Sequence, residues 1–72
     1  MAVEWIEVES SNVAAIAYIR AAEQLLVQFN NGSVYSYSAV PVEVFDGLKA
    51  ADSKGRYLNA HIKGVYDCQK IS

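Results

Sequence analysis

Two groups of residues in this chain have the types and spacing to recognise a ligand. The first is Tyr35-Ser36-Tyr37. Side chains alternate along an extended strand, so both phenol rings share one face and Ser36 takes the other. Adjacent rings on a sheet face can stack on nucleic-acid bases. They can equally cap a core and leave their hydroxyls in water. The second is Ser53-Lys54-Gly55-Arg56, at a predicted helix start. Free N–H groups, the positive end of the helix dipole, two cations and a glycine all favour an anion there. Gly55 costs about 1 kcal/mol against alanine in a helix, and each exposed cation opposes the dipole by about 0.3–1 kcal/mol. A bound anion would explain both costs; a tight turn or close helix packing would explain the glycine alone. Asn59 and Lys63 follow Arg56 at three- and four-residue steps, so the three can share a face. A plainly solvated helix start is the alternative.

Catalysis needs a nucleophile, a base and an electrophilic site that converge. The chain has one histidine, His61, and one cysteine, Cys68, with Gly64 between them. Their spacing fits neither a metal clip nor a local nucleophile motif. Calcium loops, phosphate-cradling glycine loops and dinucleotide fingerprints are missing from the sequence. The expectation is a protein that is not an enzyme and uses no cofactor and no metal. His61 falls near the seam between an apolar helix stripe and solvent. It reads as a partly buried histidine bonded to backbone, or as a ligand contact. Cys68 reads as an inert small hydrophobe, and Trp5 as half-buried packing or as an exposed anchor for a partner chain.

The elements that must position these residues follow from periodicity. Residues 5–8 alternate apolar and acidic side chains, which predicts a strand. Residues 13–19 are apolar throughout, which suits a strand covered on both faces, although the three alanines leave a short helix open. Residues 21–24 make a connector, and residues 25–29 return as a third strand. Asn30-Asn31-Gly32-Ser33 predicts a type I′ hairpin turn, because Asn-Gly tolerates two positive φ angles. A fourth strand then runs over 34–39. From Pro41 the period becomes helical, with Val44, Phe45, Leu48 and Ala51 on one stripe. Ser53 is placed to cap a second helix over residues 54–62, and Gly64 to end it. Residues 65–71 can return as a fifth strand. The predicted fold is therefore α+β: an antiparallel meander of four to five strands with two helices on one face. Its predicted core is Val13, Ala15, Ile16, Val27, Phe29, Phe45, Leu48, Leu58 and Ile62.

At 72 residues the chain makes a single domain, residues 1–72. Its 53% hydrophobic residues and single proline exclude a disordered segment. One cysteine excludes a disulfide framework and points to a reducing, cytoplasmic location. No apolar run is long enough for a membrane span, and nothing reads as a signal peptide. The net charge of −2 hides an asymmetry. Residues 1–48 set Arg20 against six acids, a balance of −5, whereas residues 49–72 set five cations against two acids, a balance of +3. An anionic partner would be drawn to the second half.

Laid end to end, these segments resemble the KTSC domain, a small domain found at the C-terminus of certain lysyl-tRNA synthetases and as free-standing bacterial and phage proteins. The resemblance rests on four stretches. They are Ser11-Asn12-Val13-Ala14-Ala15-Ile16-Ala17-Tyr18; the hairpin from Leu26 to Tyr37; Val40-Pro41; and Ser53-Lys54-Gly55-Arg56-Tyr57-Leu58-Asn59-Ala60-His61-Ile62-Lys63-Gly64. It runs over residues 8–71. The resemblance implies one α+β unit with an RNA-binding role suggested by the synthetase context. Carried over residue by residue, it marks Tyr35, Tyr37, Lys54, Arg56, Asn59, His61 and Lys63. The chain departs from the family in an apolar turn, Ile19-Arg20-Ala21-Ala22, and in an acid within the tail at Asp67. The first reading is a module for RNA or a phosphate-bearing nucleotide, using Tyr35, Tyr37, Ser53, Lys54, Gly55, Arg56, Asn59, His61 and Lys63. The alternative is a phage-encoded interaction or anti-defence protein that binds a host component or assembles as a homo-oligomer, favoured by the apolar turn and Trp5.

Overall fold

A computed structural model describes residues 3–72. The chain forms β1 (Ile6–Glu7), β2 (Val13–Ile19), β3 (Gln24–Phe29), β4 (Val34–Tyr37), α1 (Val42–Ala50), α2 (Lys54–His61) and β5 (Cys68–Lys70). The strands make one antiparallel sheet in chain order, β1 to β5. One lateral row crosses all of it: Ile6, Ile16, Val27, Tyr35 and Lys70. The α+β meander expected from periodicity is the observed architecture.

Both helices pack on the face that carries Ile16, Leu25, Val27 and Tyr37. Val13, Val40, Phe45, Leu48, Leu58 and Ile62 complete that core. The other face holds the row Ala17, Leu26 and Ser36, all buried, where the Gln24 side-chain amide donates to the Ser36 hydroxyl. β2 is therefore covered on both faces, as its unbroken apolar run requires. Eight of the nine expected core residues are buried. Phe29 is the exception. It is half-buried, because the last residue of β3 lies at the rim of the helical layer. Leu25, Tyr37 and Val40 are buried in addition. Alternation places Leu25 and Tyr37 on the helix-covered face.

Four local expectations are corrected. The hairpin is not of type I′. Among its turn residues only Gly32 has a positive φ, +91°, while Gly32 N–H donates to the Phe29 carbonyl at 2.9 Å and Phe29 N–H to Ser33 at 2.8 Å. This is a type I turn followed by a left-handed glycine, one residue longer than the two-residue loop. Asn30 is committed elsewhere, since its N–H donates to the Asn12 carbonyl at 2.8 Å. The fourth strand stops at Tyr37 instead of residue 39, because Ala39 turns left-handed with φ +59°. Ser38 N–H then donates to the Asp67 carbonyl at 3.0 Å and Val40 N–H to the Glu23 carbonyl at 2.8 Å. Pro41 is the N-cap of α1, in extended geometry (φ −64°, ψ 151°), so the helix proper begins at Val42. α2 ends at His61, because Ile62 leaves helical geometry (φ −122°, ψ −53°) with its side chain fully buried.

Two other expectations hold. The Ser53 hydroxyl accepts Arg56 N–H at 3.2 Å and caps α2. Gly64, with φ +78°, follows the end of the helix, where Ile62 N–H and Lys63 N–H both donate to the Leu58 carbonyl at 3.0 and 2.8 Å. The helices meet at Gly47. A Cβ there would stand 2.8 Å from Cζ of Tyr57, inside van der Waals contact, so the absent side chain makes room for the Tyr57 ring.

Candidate functional site

A cleft of about 530 Å³ opens where four segments converge: the Ser11-Asn12 turn, the hairpin tip, the adjoining strands β4 and β5, and the chain just beyond α2. One wall is a braced polar loop. The Ser10 hydroxyl accepts the N–H groups of Asn12 and Val13, each at 3.3 Å. The Asn30 side-chain amide donates to the carbonyls of Ser10 and Ser11 at 3.2 and 2.9 Å. Asn31 Oδ1 accepts Ser33 N–H at 2.9 Å. These bonds leave Asn30 Oδ1 as an acceptor and the Asn31 amide nitrogen as a donor, on two residues that line the cleft.

The other wall is aromatic and cationic. Tyr35 is half-buried and meets Phe29 edge to face, with ring centres 5.5 Å apart. Lys63 Nζ lies 6.0 Å from the Phe29 ring centre. Lys70 is paired with Tyr35 across the sheet and so shares its face. Tyr37 and Cys68, themselves a cross-strand pair, also line the cleft. Burial pushes the Tyr37 phenol well above the usual tyrosine range, helped by the neighbouring Cys68 thiol, a hydrogen bond to it and the nearby Tyr35. Among the described residues no carboxylate lines the cleft. A pocket with an aromatic wall, free amide groups and a cation has the chemistry to hold a planar, hydrogen-bonding, negatively charged ligand.

Of the sequence-predicted residues, the cleft unites Tyr35, Tyr37 and Lys63. Tyr37 is 1% exposed and offers no open ring face, so the pair is one accessible platform and one core residue. Ser53, Arg56 and His61 line a separate depression of about 330 Å³ beside Tyr57. Lys54 Nζ donates to the Ala51 carbonyl at 2.6 Å. Gly55 is buried, and a Cβ there would sit 3.4 Å from Asn12 Nδ2 and 3.8 Å from the Ser10 hydroxyl. These are ordinary van der Waals distances, so the helix start packs on the Ser10–Asn12 turn without requiring a glycine there. Asn59 is exposed and lines neither hollow, so Arg56, Asn59 and Lys63 do not converge.

Two further readings change. His61 is exposed and packs its ring 4.5 Å from that of Tyr57, so it is not a partly buried histidine. Cys68 is exposed, on an edge strand beside the cleft, and is not a core hydrophobe. Trp5 is 41% exposed and Ile6 40%, both near the open edge of β1. Periodicity missed Asn12, Asn30 and Asn31, although the hairpin turn that carries Asn30 and Asn31 was visible. Among the described residues no group of three or more His, Cys, Asp or Glu side chains could hold a metal ion, and no helix is long and apolar enough to cross a membrane.

A five-stranded antiparallel sheet with two helices on one face defines a small α+β module. The KTSC domain matches residues 9–66, and the chain belongs to that family. It is 46% identical over 56 residues to a protein of Tsukamurella paurometabola, covering 78% of this chain and 84% of that one. It is 36% identical over 64 residues to a lysine–tRNA ligase of Nostoc punctiforme, covering 89% of this chain but 11% of the ligase. The crystal structure of a KTSC domain protein from Yersinia pestis superposes with a TM-score of 0.92 at 35% identity, over 99% of this chain and 100% of that one.

Proposed function

We propose that this KTSC domain is a non-enzymatic binding module whose cleft takes RNA or another nucleic-acid ligand. One observation carries the reading. In a chain of net charge −2, the cleft places Lys63, the Tyr35 ring and free asparagine amide groups together, with no carboxylate among its described lining residues. Base stacking on an aromatic ring, amide contacts to a base edge and a lysine for phosphate are the usual elements of single-strand recognition. The small share of the ligase that this domain matches fits an accessory role beside a catalytic body.

The test is fluorescence anisotropy with a labelled single-stranded RNA octamer at low salt. Lys63→Ala should weaken binding about tenfold or more, the loss of one charge-assisted contact. The Lys54→Ala/Arg56→Ala double variant should change it far less. Absence of binding, or parental affinity for the Lys63→Ala protein, would overturn the proposal.

A second reading, a surface for a protein partner or another copy of the chain, is favoured by the exposure of Val3, Trp5 and Ile6 along the outer edge of the sheet. Light scattering on the purified protein separates the two. A dimer or larger species that dissociates on Trp5→Ser, without RNA affinity, would support the second.

A further inference from the structure

We infer that the cleft accepts one nucleotide unit, an unstacked base with its own phosphate, instead of tracking a run of strand. This rests on the nucleic-acid reading and narrows it. Proteins that follow a strand supply successive aromatic platforms along a continuous cationic groove. Here the platforms do not repeat. Tyr35 is the accessible ring; Tyr37 is buried, and Lys63 lies over Phe29. The cations do not continue either. Lys63 and Lys70 belong to the cleft face, Arg56 borders the other hollow, and Lys54 is bonded to a backbone carbonyl. Lys49 lies 3.6 Å from Asp46 and 5.0 Å from the Phe45 ring centre.

What the cleft does supply suits a single unit. Its volume of about 530 Å³ falls within the range of pockets that enclose one small organic ligand. Asn30 Oδ1 and the Asn31 amide nitrogen present one acceptor and one donor on adjacent residues, because their other amide atoms are held by Ser10, Ser11 and Ser33. An acceptor beside a donor matches the edge of a base, and Lys63 stands where an attached phosphate can be paired.

The experiment titrates the 15N-labelled full chain with 5′-phosphorylated oligoadenylates and oligouridylates of one, two, four and eight nucleotides, alongside the unphosphorylated nucleosides. Amide signals of Asn31, Tyr35, Gly64 and Cys68 should move with the mononucleotide, and less with the nucleoside. Affinity, corrected for the number of registers, should level off by two nucleotides. The slope of log affinity against log salt should be no steeper than about −1.4, the value for two cations on a single strand. Lys63→Ala should weaken the mononucleotide about tenfold while its spectrum stays that of a folded protein. If the octamer binds more than tenfold tighter than the dinucleotide after that correction, the single-unit inference is wrong and RNA binding stands. If nothing binds at any length, the nucleic-acid reading falls and takes the inference with it. If the mononucleotide moves signals around Arg56 and His61 instead, the cleft is not its site.

Discussion

The two ends of α2 carry the same kinds of residue and are built for different ends. At the start, Lys54 and Gly55 turn inward on the protein, and of Arg56 only the backbone N–H does, its side chain being exposed. Ser53 caps the helix through Arg56 N–H, Lys54 holds the Ala51 carbonyl, and Gly55 lies against Asn12. Donors that would greet an anion are partly spent. Beyond the last turn the backbone is also closed, because the Leu58 carbonyl takes two N–H groups, but the Lys63 side chain is left over an aromatic wall with free amide groups opposite. The lesson is that a cation beside a helix terminus is informative only once its hydrogen-bond commitments are known. The helix start serves as a joint, and the helix end faces a cleft.

Three changes would break or sharpen this contrast, in falling order of effect. Leu58 is 2% exposed at the middle of α2 and anchors both ends. Leu58→Ala should cost about 2–5 kcal/mol, comparable to the whole stability of a domain this small, and the far-ultraviolet spectrum should show a largely unfolded chain at 37 °C. A parental melting point would mean that the ends are held independently.

The two helix glycines should then respond with opposite signs. In Gly47→Ala the new methyl meets the Tyr57 ring, and the helices must move apart at a cost of about 1–3 kcal/mol. In Gly55→Ala the methyl reaches ordinary contact at 3.4 Å from Asn12 Nδ2, so helix propensity should raise stability by up to about 1 kcal/mol. Urea midpoints decide this. A Gly55→Ala protein that is stable but has lost RNA affinity would move the binding site to the helix start.

The smallest effect is alkaline. Tyr37, through burial first and then Cys68, and Tyr18, through burial first and then Glu23, both hold their protons above the ordinary value near 10. The unfolded chain therefore releases protons first. Stability should be flat up to about pH 9 and fall as the pH rises through 10 and beyond. Tyr37→Phe should flatten that limb, and an unchanged slope would show that the Tyr37 phenol ionises as easily in the folded state as in the unfolded one.

Much of this was legible in the sequence because it was local. The cap at Ser53, the stop at Gly64, the strand pairing around Asn31-Gly32 and the shared face of Tyr35 and Tyr37 each depend on a few consecutive residues. The turn type was not legible, because Asn30 is held by Ser10, Ser11 and Asn12, far away in the chain. Gly47 and Gly55 looked alike as helix glycines, and only their partners, Tyr57 and Asn12, tell them apart. The cleft was least legible of all. Its walls come from four separated segments, and no periodicity reports that Asn31 and Lys63 share a hollow.

Because strand order in space repeats order in the chain, the two ends leave from opposite margins of the sheet. Ile6 and Lys70 terminate the same lateral row, four strand spacings apart, or roughly 19 Å. Tension applied between the ends therefore acts across the strands and not along them. The ladder bonds are loaded one pair at a time, from β1 inward and from β5 inward, and each rupture frees slack before the next is strained. Such a sheet opens like a zip and yields at low force. Tethered at both ends between larger bodies, it would act as a weak link and lose the Tyr35–Lys70 face when β5 peels away.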